Sequence, residues 1–124
     1  MQLSGRHVVV TGAAGGIGSA LVRRFHQAGA RVVATDLHGA DRIVAELDGT
    51  VSIAADMRSE DSITAMIDRA EAEFGPVDLY FANAGVALGT DPMDDEELWN
   101  VSFDVNLHSH RWAARRLVPG WLAV

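Results

Sequence analysis

Apolar and polar positions along this chain switch between two periods, and the switch repeats four times. Residues 7–11 (His-Val-Val-Val-Thr) are a short β-branched run closed by glycines, the pattern of a strand covered on both faces. Residues 16–28 then carry Ile17, Leu21 and Phe25 at helical spacing, and Gly29 stands where a C-terminal cap belongs. Residues 31–36 read as a second strand. Residues 40–47 read as a short helix with Ile43, Val44 and Leu47 on one side, and residues 50–55 as a third strand. Ser59 followed by Glu60 and Asp61 is a hydroxyl cap with acids in the first turn. The helix it opens is striped by Ile63, Met66, Ile67, Ala70 and Phe74 and closed by Gly75-Pro76. Residues 77–82 form a fourth strand and residues 83–93 a loop. Asp94 and Glu97 have capping-box spacing at the start of the last helix. Its face is expected to run through Trp99, Phe103, Asn106, His110, Ala113 and Leu117 until Pro119-Gly120 stops it.

Strict strand–helix alternation predicts an α/β fold with a parallel sheet, right-handed crossovers and helices on both faces. About four strands are expected, so the doubly wound sheet is incomplete. The length of 124 residues fits one domain, and 48% hydrophobic residues suffice for a core. No apolar run is long enough to span a membrane, and the first residues lack the greasy stretch of a secretory signal, so a cytoplasmic protein is expected. A net charge of −7 disfavours nucleic acid and anionic membranes as partners. All ten basic residues are arginine, and Tyr80 is the only tyrosine. Chemistry that needs a lysine or a second tyrosine is excluded for these residues.

The glycines after the first strand carry the first chemical signal: Thr11-Gly12-Ala13-Ala14-Gly15-Gly16-Ile17-Gly18. Gly12 allows the sharp turn out of the strand, Gly15 and Gly16 let backbone approach a diphosphate, and Gly18 lets the helix sit near the sheet. Free N–H groups at the helix start, with the helix dipole, suit an anion. A merely tight turn is the bland alternative, and a P-loop is excluded because it needs a lysine. Asp36 ends the second strand, 18 residues after Gly18, where an acid can bond both ribose hydroxyls of adenosine. A turn-capping role is the alternative. Leu37 follows at the same edge and is read as part of the cofactor site. Neither it nor His38 offers a cation for a 2′-phosphate, so NAD is favoured over NADP. The whole of residues 1–124 reads as one dinucleotide-binding domain of Rossmann type.

These residues resemble the short-chain dehydrogenase/reductase family. Thr11, Gly12, Gly16 and Gly18 match its Thr-Gly-x-x-x-Gly-x-Gly, and Ala82-Asn83-Ala84-Gly85 is similar to its Asn-Asn-Ala-Gly with the first Asn replaced. Asp56-Met57 resembles the Asp-aliphatic pair that meets the adenine. Val105-Asn106-Leu107 resembles the segment bearing the family's active-site asparagine. The resemblance implies that Ile17 contacts the cofactor through its backbone. It implies that Asn83, Ala84 and Gly85 line the cofactor cleft, with Asn83 tying the fourth strand to the loop near Thr11. It implies that Asn106, the one remaining member of the catalytic set, interrupts its helix and holds a water in a proton relay. Strand-capping and plain helix-surface roles stay open for Asn83 and Asn106.

The family's Tyr, Lys and Ser are absent, because the resemblance covers only its first half. The expected parent reaction is reversible hydride transfer between NAD and an alcohol or carbonyl carbon of a small molecule. The 124-residue chain is expected to be truncated and inactive by itself, and a homo-oligomer by analogy with family dimers. The alternatives are a non-catalytic NAD-binding or dimerisation module and an S-adenosylmethionine-dependent methyltransferase. His108 and His110 point to different helix faces, so no metal site is expected. Trp99, Trp112 and Trp121 read as packing or interface residues. Residues 79–82 are expected to be an uncovered apolar edge.

Overall fold

The computed structural model describes residues 1–124. Four strands, β1 (His7–Thr11), β2 (Arg31–Asp36), β3 (Val51–Ala54) and β4 (Leu79–Phe81), form one sheet in the order β3-β2-β1-β4. All three pairings are parallel, with Val9 opposite both Val33 and Tyr80. Helices α1 (Gly16–Gln27), α2 (Ala40–Val44) and α3 (Glu60–Phe74) connect them. The α/β doubly wound sheet is thus present with four strands, and β4 is an edge whose Phe81 is exposed.

Side-chain alternation divides the core into two layers. Val8, Val10, Val32 and Ala34 pack beneath α1 and α2, together with Val22. Val9, Val33 and Ile53 pack on the other face against Ile63, Met66 and Ile67 of α3. The β-branched run of β1 is needed because both of its faces are buried. Ser59 caps α3 by accepting from the Ser62 N–H at 3.2 Å. No helix is long and apolar enough to cross a membrane.

Several local expectations are corrected. Gly18 and Val22 are the buried positions of α1, with Leu21 and Phe25 beside them, while Ile17 is 73% exposed. The glycine turns toward the sheet, which puts its neighbour about 100° away. The capping box does not form. Asp94 Oδ2 instead accepts the Asp91 N–H, and α4 (Glu96–Phe103) starts after Asp95 with no side-chain cap.

The last helix is not continuous. After α4 comes a π turn, Asp104–His108, and then α5 (Ser109–Leu122). A π turn takes up an extra residue and rotates the face beyond it. The buried positions are therefore Val105, Ser109, Ala113 and Leu117, while Phe103, Asn106 and His110 turn outward. Nor does Pro119 end the helix. Trp121 Nε1 donates to Val77 O at 2.7 Å, and Leu117 is buried, so tertiary contacts hold the last turn despite the missing N–H. Arg116 further ties α5 to α3 through Asp68 at 2.8 Å and Glu71 at 2.6 Å.

Candidate functional site

The strands are parallel, so their C-terminal ends all open on one side, and a cleft of about 650 Å³ runs across them. The glycine loop forms its centre. Gly12 has φ +66°, and a Cβ there would lie 2.9 Å from Ala84 Cα. A Cβ on Gly18 would lie 1.9 Å from Gly12 O, so α1 can start this close to β1 only without a side chain there. Helical bonding begins with Ser19 N–H to Gly15 O at 2.9 Å, and the N–H groups of Gly16, Ile17 and Gly18 have no acceptor within the chain. They are the free donors that an anionic group requires.

Thr11 locks β4 to this loop. Its Oγ1 accepts the N–H groups of Asn83 at 3.0 Å and Ala84 at 2.9 Å. Asn83 Nδ2 donates to Thr11 O at 3.2 Å, which ties the fourth strand to the loop. Asn83, Ala84 and Gly85 all line the cleft.

On the other side of the loop, Asp36 and Leu37 line the cleft at the end of β2. Asp36 Oδ2 accepts the Ala14 N–H at 3.0 Å, and Oδ1 accepts the Leu37 N–H at 2.7 Å. The carboxylate thus also braces the glycine loop. Beyond it, at the end of β3, lie Asp56 and the largely buried Met57. Asp56 is gripped by Arg58: Nε reaches Oδ1 at 3.0 Å and Nη2 reaches Oδ2 at 2.8 Å. That guanidinium holds the Asp56 carboxyl below its ordinary range. Arg58 itself lines the cleft and went unforeseen, because the residues that placed Asp56-Met57 here carry no sign that the next side chain folds back onto Asp56. Val101 of α4 and Val105 of the π turn close the cleft from this side, neither of them on the helix face expected from the sequence.

Asn106 sits at the centre of the π turn and does interrupt the helix, yet its side chain does not line the main cleft. Its Nδ2 donates to Val86 O at 2.8 Å and to Ser102 Oγ at 3.1 Å, and its Oδ1 accepts the Val86 N–H at 2.9 Å. The amide therefore clamps the segment that follows Gly85 at the cleft's rim. Tyr80 is set into β4, and burial pushes its phenol up.

The family model for short chain dehydrogenases matches residues 6–123. The chain belongs to this family. It is 33% identical over 124 residues to 3beta-hydroxysteroid dehydrogenase 2 of Eggerthella lenta, covering 94% of this chain and 48% of that protein. It superposes with TM-score 0.87 on a short chain dehydrogenase/reductase from Burkholderia phymatum solved with NAD, at 28% identity, covering 96% of this chain and 45% of that one. A blue fluorescent protein from a metagenomic library, solved with NADPH, gives TM-score 0.87 at 26% identity, covering 96% of this chain and 52% of that one. The chain thus spans about half the length of these relatives. The chain has the fold of these neighbours, of which one was solved with NADPH and one with NAD.

Proposed function

We propose that residues 1–124 are the cofactor-binding part of an NAD-dependent short-chain dehydrogenase/reductase. The observation that carries this reading is the row of free N–H groups at Gly16, Ile17 and Gly18 with the Asp36 carboxylate beside it in one cleft. The free N–H groups hold the diphosphate. Asp36 keeps lone pairs for ribose hydroxyls and would repel a 2′-phosphate. Leu37 flanks the ribose, Asp56 and Met57 meet the base, and Asn83, Ala84 and Gly85 form the wall toward the nicotinamide. The bound dinucleotide supplies or accepts the hydride. The parent substrate is a small alcohol or carbonyl compound.

Proton transfer needs a positioned acid/base group. Here Tyr80 is the only tyrosine, it is set into a strand, and lysine is absent, so residues 1–124 alone do not turn over. Asn106 holds the rim through Val86, a place from which its backbone can carry a relay water. A homo-oligomer fits the exposed Phe103 and Leu107, which border a groove of about 250 Å³ on α4 and the π turn. A monodisperse monomer in light scattering would oppose the oligomer.

Calorimetric titration with each dinucleotide tests the central reading. NAD is expected to bind about tenfold tighter than NADP or better, the scale of a hydrogen bond to a charged group. Asp36→Ser is expected to erase most of that gap. Tighter binding of NADP by the unaltered chain would overturn the assignment.

A further inference from the structure

One hydroxyl on the buried side of the last helix breaks the pattern of its neighbours. Ser109, Ala113 and Leu117 form the buried stripe of α5, and Ser109 heads it with only 5% of its surface exposed. Its Oγ donates to Val105 O at 2.6 Å. In a regular α-helix that carbonyl receives the N–H four residues on, which is Ser109's own. Here the Ser109 N–H reaches back five residues to Asp104 O, the bond that makes the π turn. Serine hydroxyls bond the carbonyl four residues back in ordinary helices too, but there the backbone N–H already holds that carbonyl. At Val105 the N–H has moved away, so the hydroxyl meets a buried acceptor that the π turn leaves without its usual partner.

The other side of the same turn faces the rim of the cleft. Asn106 Oδ1 accepts the Val86 N–H at 2.9 Å, and Nδ2 donates to Val86 O at 2.8 Å. Gly85 lies so close that a Cβ there would come within 3.4 Å of Asn106 Oδ1. Gly85 and Val86 both line the cleft. Geometry couples the two sides. If the turn tightened into a regular α-helix, the N–H of residue 109 would return to Val105 O. Asn106 would then rotate by about 100°, one residue's worth, relative to the stripe beyond it. Ala113 and Leu117 of that stripe share a core with Ile63, Met66 and Ile67 of α3, so the stripe stays and Asn106 swings off Val86.

We propose that Ser109 is a positioning residue of the cleft's rim: its buried hydroxyl holds the π turn, and the turn aims the Asn106 amide at Val86. Ser109 touches neither cofactor nor substrate and acts through Asn106. The consequence for ligands rests on the dinucleotide reading given above. Gly85 and Val86 stand toward the nicotinamide, so the effect falls on that half of the dinucleotide and spares its ADP-ribose half.

The first measurement is amide exchange at Val86, read by NMR on the chain without ligand. That N–H bonds Asn106 and not Ser109, so a hydroxyl that only stabilises its own helix would not move it. Ser109→Ala is expected to speed exchange at Val86 about tenfold or more, as a clamp that opens locally exposes its amide. Arg116→Met frees α5 from Asp68 and Glu71 without touching the turn, and is expected to leave Val86 as it was. Calorimetry then compares NAD with ADP-ribose. Ser109→Ala is expected to weaken NAD about threefold or more, the scale of a hydrogen bond, with ADP-ribose unchanged. Unchanged exchange at Val86 in Ser109→Ala, or an equal rise in Arg116→Met, overturns the proposal. NAD affinity that ignores the hydroxyl, or equal weakening of both ligands, overturns it as well. Binding of neither ligand by the unaltered chain overturns the dinucleotide reading, while exchange at Val86 still decides the role of Ser109.

Discussion

The two ends of the sheet carry similar polar chemistry and put it to different use. At the end where strands β1 and β4 begin, His7 Nδ1 bonds Gly75 O at 2.8 Å, and the His7 N–H bonds Asp78 Oδ2 at 2.8 Å. Arg6 adds an ion pair to Asp78 at 3.2 Å. His7 Nε2 has no partner, but it is sealed in, with the ring edge-on to Phe74 at 5.4 Å. At the other end, the N–H groups of Gly16, Ile17 and Gly18 are equally unpartnered, yet they open onto a cleft. The lesson is that a density of polar groups does not mark a site. An unmet hydrogen-bonding group marks one only where a ligand can reach it; where nothing can, the same deficit is a matter of stability.

Substitutions sharpen this contrast, and the largest effect is expected in the glycine loop. Gly18→Ala drives a methyl into Gly12 O and should cost about 3 kcal/mol or more in denaturant unfolding, together with loss of dinucleotide binding. Gly16→Ala meets nothing within 4 Å and should leave stability within about 1 kcal/mol. Equal losses for the two would show that close approach is not what the loop needs.

Next comes the tie between β1 and β4. Thr11→Val strips the acceptor from the N–H groups of Asn83 and Ala84, and should cost about 2 kcal/mol. Because it also loosens the cleft wall, binding should weaken with stability. An unchanged unfolding curve would mean that these N–H groups find water instead.

The closed end should answer to pH and not to ligand. Burial above all keeps the His7 ring neutral, lowering its pKa from 6.5. The unfolded chain takes up a proton below pH 6.5 that the folded chain resists. Stability is therefore full above that pH and falls as pH drops through it toward the lowered native value, by at most about 1.4 kcal/mol per unit for one proton. His7→Leu should flatten that slope with dinucleotide affinity unchanged. The Asp78 carboxyl is held down first by the His7 N–H, so its own loss starts only as pH falls through 3.8. A slope near pH 6.5 that persists in His7→Leu would locate the titration elsewhere.

The smallest effect belongs to the Arg6–Asp78 pair. Arg6→Met removes an ion pair whose arginine side chain is 52% exposed, and should shift stability by less than about 1 kcal/mol. A larger change would mean that Arg6 supports the His7–Asp78 contact beneath it.

What the sequence determined by itself was whatever depends on neighbours along the chain. The valines of β1, the stripe of α3, the glycines at 12 and 18 and the acid at 36 each declare their place through local period or spacing, and the parallel sheet follows from their order. Tertiary contacts decided the rest. Asn106 bonds Val86, 20 positions away, across a π turn that moves the buried face to Val105 and Ser109. Trp121 holds a helix past Pro119 by bonding Val77, 44 positions back. A hydrophobic period reports which side of an element is buried if the element is regular. It carries no record of a bond made to a distant segment, and such bonds set where a helix bends, where it ends and which side chains meet in the cleft.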